Sequence, residues 1–191
     1  STLSPSSAAS DVYKRQVHVN NDCNCFALGV CRFGEALGCR DVVCIALGTG
    51  VGAGIVIDGK LYSGPNTGAG EIGSIPYLDR DYEYYCSSRF FVGRGTSGKE
   101  AFERAAAGDP GALALWREFG GHIGQLVMLA LYAYDPEAIV FGGSISQAFD
   151  FFREAMYERL AEFPYARTVE RLRIGCSKIE NVGLLGASAC E

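Results

Sequence analysis

Four short clusters hold the residues whose types and spacing could do chemistry. The densest is Gly48-Thr49-Gly50-Val51-Gly52-Ala53-Gly54, set between two apolar runs. Glycines this close allow positive φ and let backbone N–H groups approach phosphate oxygens, with the Thr49 hydroxyl as a further donor. No Gly-Lys-Ser/Thr follows, so it is not a Walker A loop, and a strand rather than a helix follows, so it is not a dinucleotide fingerprint. By itself it reads equally as a tight hairpin. Asn20-Asn21-Asp22-Cys23-Asn24 stands where a strand ends and a helix starts. Asp22 there is either a helix cap or a general base toward an alcohol, with Asn21 bonding a neighbouring hydroxyl. Gly68-Ala69-Gly70-Glu71-Ile72-Gly73 places a carboxylate among glycines, which suits a pair of vicinal hydroxyls or simply solvent. Phe141-Gly142-Gly143-Ser144, with Gly183-Leu184-Leu185-Gly186-Ala187, offers small residues where a flat ring could lie or where helices start close-packed.

The elements that must position these clusters follow from periodicity. Asp22 to Leu37 reads as a helix with Phe26, Val30, Phe33 and Leu37 on one stripe, closed by Gly38. Asp41 to Leu47 and Val51 to Asp58 read as strands, and Asp58-Gly59 as a hairpin turn returning through Tyr62. Ser63 to Gly73 is loop, and Ile75 to Phe91 is aromatic and irregular. Helices are expected over Thr96 to Ala107, from Asp109-Pro110 to about Tyr134, over Gln147 to Phe163 and from Gly183. Short strands are expected at Val17 to Asn20, Ala138 to Phe141 and Leu172 to Cys176. This order implies a mixed α/β sheet with helices on both faces, and ligands at the carboxyl ends of its strands.

Composition narrows the function classes. The chain of 191 residues is 48% hydrophobic, with 17 basic against 22 acidic side chains. A net charge of −5 disfavours nucleic acid or an anionic membrane as the main partner. Backbone N–H groups can still bind phosphate. No apolar run approaches the roughly 18 residues of a membrane span. The eight cysteines sit mostly in apolar segments and read as reduced thiols of a cytoplasmic protein. Ser1 to Gln16 reads as a disordered or non-native tail, with a targeting peptide as the competing reading. Of the two histidines, His122 reads as packed within a helix, and neither joins a Ser-His-Asp or Cys-His pattern.

Taken together and in this order, the clusters resemble the ROK family of sugar kinases and sugar-responsive repressors over Val17 to Ala189. The most telling stretch is Ile45 to Gly73, where two glycine motifs flank Ile57-Asp58-Gly59-Lys60-Leu61-Tyr62. The resemblance implies the C-terminal lobe of an actin-like (ribonuclease H-like) ATPase fold, with the N-terminal lobe mostly missing. It implies ATP-dependent phosphorylation of a hexose, glucokinase-like, with ATP and Mg2+. The alternatives are the sugar-sensing domain of a repressor or an inactive truncated product. It implies Asp22 as catalytic base, and Asn21, Gly70 and Glu71 at the sugar. Gly48, Thr49, Gly50 and Gly52 would hold phosphate, and Gly142, Gly143 and Ser144 adenosine. A homodimer is common in that family.

The chain departs from the family pattern in places. Ser74 stands where many members have a His three residues after the Glu. Of the family's zinc motif, only Cys86 falls on a cysteine position, with Tyr84 and Phe91 at the others and Gly93 at a sugar-binding Glu. One thiol cannot supply roughly four zinc ligands. No zinc is expected. The aromatics Tyr84, Tyr85, Phe90 and Phe91 are expected to take the metal's place by burying apolar area, and Glu83 is a candidate for the missing Glu.

Overall fold

The computed structural model describes residues 20–189. The expected tail over 1–16 and most of the strand expected at Val17 to Asn20 lie outside the described residues.

Helix α1 (Asp22–Phe33) opens where the Asn21 side chain accepts a hydrogen bond from the Asn24 N–H, at 2.8 Å. It ends earlier than the apolar stripe suggests, at Gly34, whose N–H donates to the Val30 carbonyl. Phe26 and Val30 are buried as expected, but Phe33 and Leu37 are 51% and 67% exposed, because the chain has turned off the sheet by then. The apolar run Val42–Leu47 forms β1, and β2 (Val51–Ile57) returns antiparallel to it. Asp58 and Gly59 both take positive φ, +53° and +73°, which matches the twist of the β2–β3 hairpin, with β3 at Lys60–Tyr62.

The segment expected to be irregular is ordered. It holds a small hairpin of β4 (Pro76–Tyr77) and β5 (Arg80–Asp81), then α2 (Tyr82–Cys86) and α3 (Ser88–Val92). Asp81 and Ser87 cap the two helices in turn, so consecutive capping residues break what periodicity alone could not parse. Helix α4 spans Gly98–Ala106, capped by Ser97. Helix α5 (Pro110–Tyr134) starts with Asp109 as cap and Pro110 in its first turn, and stops at Asp135 in the left-handed region.

Strand β6 (Ala138–Gly142) pairs parallel with β1, and β7 (Arg173–Cys176) parallel with β6. The sheet order is β3-β2-β1-β6-β7. Between β6 and β7 run α6 (Phe149–Leu160), preceded by a 3-10 turn at Ser144–Ala148, and the short helix α7 (Ala166–Arg171), which has no buried residue and so left no apolar period to read. Helix α8 (Val182–Ala187) closes the described chain.

Alternate residues of β1 build two cores. Val43, Ile45 and Leu47 face Phe119, Ile123 and Val127 of α5 and Phe152 of α6. Val42 and Cys44 face Phe26, Ala27 and Val30 of α1. Helices therefore cover both faces of a mixed sheet, as the element order implies. The carboxyl ends of β1 and β6 lie side by side at one edge.

Candidate active site

At that edge, β1 turns into β2 through Gly48-Thr49-Gly50, closed by the Gly48 N–H donating to the Gly50 carbonyl at 3.1 Å. Gly50, Gly52 and Gly54 are needed for room rather than for positive φ, which corrects the expectation from their spacing. Gly48, Gly50, Gly52 and Gly54 all have ordinary φ. A Cβ on Gly50 would meet the Glu83 carboxylate at 2.5 Å, and one on Gly52 would meet the Cys23 thiol at 2.6 Å. On Gly54 it would meet the Ala27 methyl at 2.6 Å. The glycines of β2 thus let α1 lie directly on the strand. Thr49 is exposed at the tip.

Gly143 follows β6 and does have positive φ, +84°. A Cβ there would run into the Leu47 backbone, so the second glycine motif is pressed against the end of β1. Gly142 is packed on the Phe26 ring, and Gly143 and Ser144 are exposed. The Ser146 hydroxyl donates to the Gly143 carbonyl at 2.8 Å and holds this turn. Beside it lies a cleft of about 340 Å³ lined by Ser88, Lys99, Phe102, Trp116, Ser144 and Ile145, among others. Its mix of aromatic walls and a few polar groups suits a small flat ligand. Larger clefts of about 670 and 930 Å³ flank α5 and α6 and touch none of these turns.

Asp22 is exposed at the start of α1, and one of its oxygens accepts the Cys23 N–H at 2.9 Å. The Cys23 thiol also donates to the Asp22 carboxylate, which stays exposed at the start of α1. Asn21 uses its side-chain oxygen as the helix cap, which leaves its NH2 as the group able to reach a ligand. Glu71 is exposed and follows Gly70, whose φ is +94° and whose carbonyl accepts the Ala53 N–H at 2.9 Å. That bond fixes the second glycine loop to β2. Cys23 reports how close the parts are. Burial, with the Asp22 and Glu71 carboxylates adding to it, pushes its thiol up to about 12. The Gly52–Cys23 approach and the Ala53–Gly70 bond bring the start of α1 and the Glu71 loop to adjacent residues of β2.

Sequence reasoning missed two contributors. Asn24 is fully buried and donates to the Asn20 side chain at 2.7 Å and toward Ser63 Oγ at 3.5 Å. It joins the start of α1 to the loop that carries Glu71. Its only sequence signal is its place one helical turn after Asn20. Arg89 is the other, ion-paired with Glu83 at 2.9 Å. Glu83 itself lies on the Gly48–Gly50 turn, with its carboxylate accepting the Val51 N–H at 3.3 Å. Gly186 does not open a flat surface for a ring. A Cβ there would overlap the Cys25 carbonyl and come within 2.7 Å of the Gly29 nitrogen, so this glycine serves the contact of α8 with α1.

Where the family's zinc motif would lie, the chain packs rings. Phe90 and Phe91 are fully buried against Phe119 and Trp116, and Tyr84 and Tyr85 meet edge to face at 5.1 Å. His122 accompanies them, half-buried, with its Nδ1 3.1 Å from the Tyr77 hydroxyl. Among the described residues no group of three or more His, Cys, Asp or Glu could hold a metal ion, and no helix is long and apolar enough to cross a membrane. The described cysteines are free thiols.

The ROK family model matches residues 6–90 and 91–190. The chain belongs to the ROK family. Among its relatives is the glucokinase of Thermotoga maritima, 25% identical over 92% of this chain and 65% of the relative. The N-acetyl-D-glucosamine kinase of Erwinia tasmaniensis is 31% identical over 84% of this chain and 63% of the relative. The chain thus spans under two thirds of the length of these curated relatives. A ROK family glucokinase from Streptomyces griseus, solved in complex with glucose and AMPPNP, superposes with a TM-score of 0.79. It is 27% identical, over 96% of this chain and 70% of that one. The mixed sheet between two helical layers is therefore part of the actin-like ATPase fold of ROK sugar kinases.

Proposed function

We propose that this ROK chain carries the sugar- and nucleotide-binding lobe of an ATP-dependent hexose kinase. The observation that carries the reading is the meeting of four clusters at one sheet edge. The Gly48–Gly50 turn, Gly143-Ser144, the start of α1 and the Glu71 loop converge there, joined by the Ala53–Gly70 hydrogen bond and the Gly52–Cys23 contact. Glucokinase and N-acetylglucosamine kinase relatives point to a hexose as the acceptor.

In this reading Asp22 accepts the proton of a sugar hydroxyl as its oxygen attacks the terminal phosphate of ATP. The free Asn21 NH2 and the Glu71 carboxylate hold neighbouring hydroxyls, so the attacking oxygen is aligned before reaction. The two glycine turns would offer backbone N–H groups to a phosphate chain, and exposed Thr49 and Ser144 would add hydroxyl donors. The cleft beside Ser144 takes the nucleoside. Mg2+ bound with ATP would offset phosphate charge, and no side chain among the described residues is assigned to it. A sugar sensor needs Asn21 and Glu71 but has no use for a base, so an exposed Asp22 at the start of α1 favours turnover.

The test is Asp22→Asn, assayed for sugar phosphorylation and for binding of glucose and N-acetylglucosamine in the longest form of the protein that expresses. Turnover should fall by about 10²-fold or more while sugar binding persists. Unchanged turnover would sink the base assignment.

A further inference from the structure

Glu83, which the sequence offered as a stand-in for a sugar-binding Glu, lies instead on the glycine turn beside Arg89. Two anchors fix them. The Asp81 carboxylate caps α2 by accepting the Tyr84 N–H at 2.7 Å, and the Ser88 N–H donates to the Gly48 carbonyl at 2.8 Å. Glu83 and Arg89 therefore sit on short helices tied to the turn itself. One Glu83 oxygen accepts the Val51 N–H at 3.3 Å and lies where a Gly50 side chain would project. The other pairs with Arg89 Nη2 at 2.9 Å. The Glu83 side chain is 28% exposed and the guanidinium side chain 58%.

A carboxylate on a backbone N–H of such a turn occupies a position suited to a phosphate oxygen. The two anions compete for one donor, and they repel each other when both are near. Arg89 can hold either one, since a guanidinium pairs equally well with carboxylate and phosphate oxygens. We propose that Glu83 is an internal anion that fills the phosphate position of the Gly48–Gly50 turn, and that Arg89 trades Glu83 for the phosphate chain when it binds. Arg89 is then a phosphate-binding residue and Glu83 a positioning residue that sets how readily the turn opens. This rests on the nucleotide reading of the turn.

The two residues should act with opposite sign, which a merely structural pair would not do. The experiment is calorimetric titration of the purified chain with inorganic tripolyphosphate in EDTA, repeated with ATP. Glu83→Gln, which keeps the shape and removes the charge, should tighten tripolyphosphate binding by about fivefold or more. Glu83→Ala serves as a second variant. Arg89→Ala should weaken binding by a similar factor, and Arg89→Lys should restore part of it. The proposal is overturned if Glu83→Gln leaves affinity unchanged or weakens it, if Arg89→Ala changes nothing, or if no variant binds tripolyphosphate. Gated binding of tripolyphosphate with no added affinity for ATP would support the proposal and instead count against the nucleotide reading.

Discussion

At the residue scale, hydrogen-bond commitments decide what each side chain has left to offer. Asn21 spends its oxygen on the Asn24 N–H, which leaves its NH2 for a ligand, while the Asp22 carboxylate accepts the Cys23 N–H and stays exposed. Asn24 underlies both. Asn24→Ala would remove its bond to half-buried Asn20 but also its own unpartnered buried oxygen, and should cost about 0.5–1.5 kcal/mol. Chemical denaturation checks this. His122 makes a pH prediction. Burial holds its pKa below the ordinary 6.5, and Arg94 and Arg159 push the same way, while Glu118 pulls it up. The Tyr77 hydroxyl also faces it. The unfolded chain therefore binds the proton first as pH falls. The stabilising contribution of neutral His122 is present above about pH 6.5 and is lost as pH drops toward the folded-state pKa. Melting temperature followed from pH 7.5 to 5 should decline, and more steeply than in His122→Gln.

At the element scale, glycines set the distances between layers. Gly54 brings α1 onto β2, Gly29 and Gly186 bring α1 and α8 together, and Gly120 and Gly124 let α5 and α6 nest. A Cβ on Gly124 would meet the Arg159 Cβ at 2.6 Å and the Met156 carbonyl at 2.9 Å, so α6 itself would have to shift. One on Gly186 would meet α1 backbone, which cannot move aside. Gly186→Ala and Gly124→Ala should therefore each destabilise by about 1–3 kcal/mol, read by chemical denaturation. Because α1 carries Asp22, Gly186→Ala should also disturb sugar binding, readable by calorimetry on the folded fraction.

At the scale of the whole molecule, the larger core is aromatic where α2 and α3 meet α5. Phe91 packs on Trp116 at 4.6 Å and on Phe119 at 5.2 Å between ring centres. These rings hold α2 and α3, and so Glu83 and Arg89, against α5. Phe91→Ala should cost about 3–5 kcal/mol, and chelator should leave the melting temperature unchanged. A fall in melting temperature on EDTA, reversed by zinc, would show that a metal rather than ring packing secures this segment.

The sequence by itself determined the order of the five sheet strands and the longer helices, the β2–β3 turn, the cap at Asp109 and the two-faced sheet. Each of these rests on local chemistry: a positive-φ pair, a capping oxygen, or an apolar period. The glycine turns and the Asn21-Asp22 pair were legible as candidates, since their residue types restrict what the backbone can do there. Tertiary structure decided what each was next to. Only packing shows that Gly50 makes room for Glu83, that Gly186 serves a helix contact, and that Asn24 joins the start of α1 to Ser63. It also decided that Phe33 and Leu37 leave the core. Contacts between residues far apart in the chain depend on where layers meet, and no local pattern encodes that.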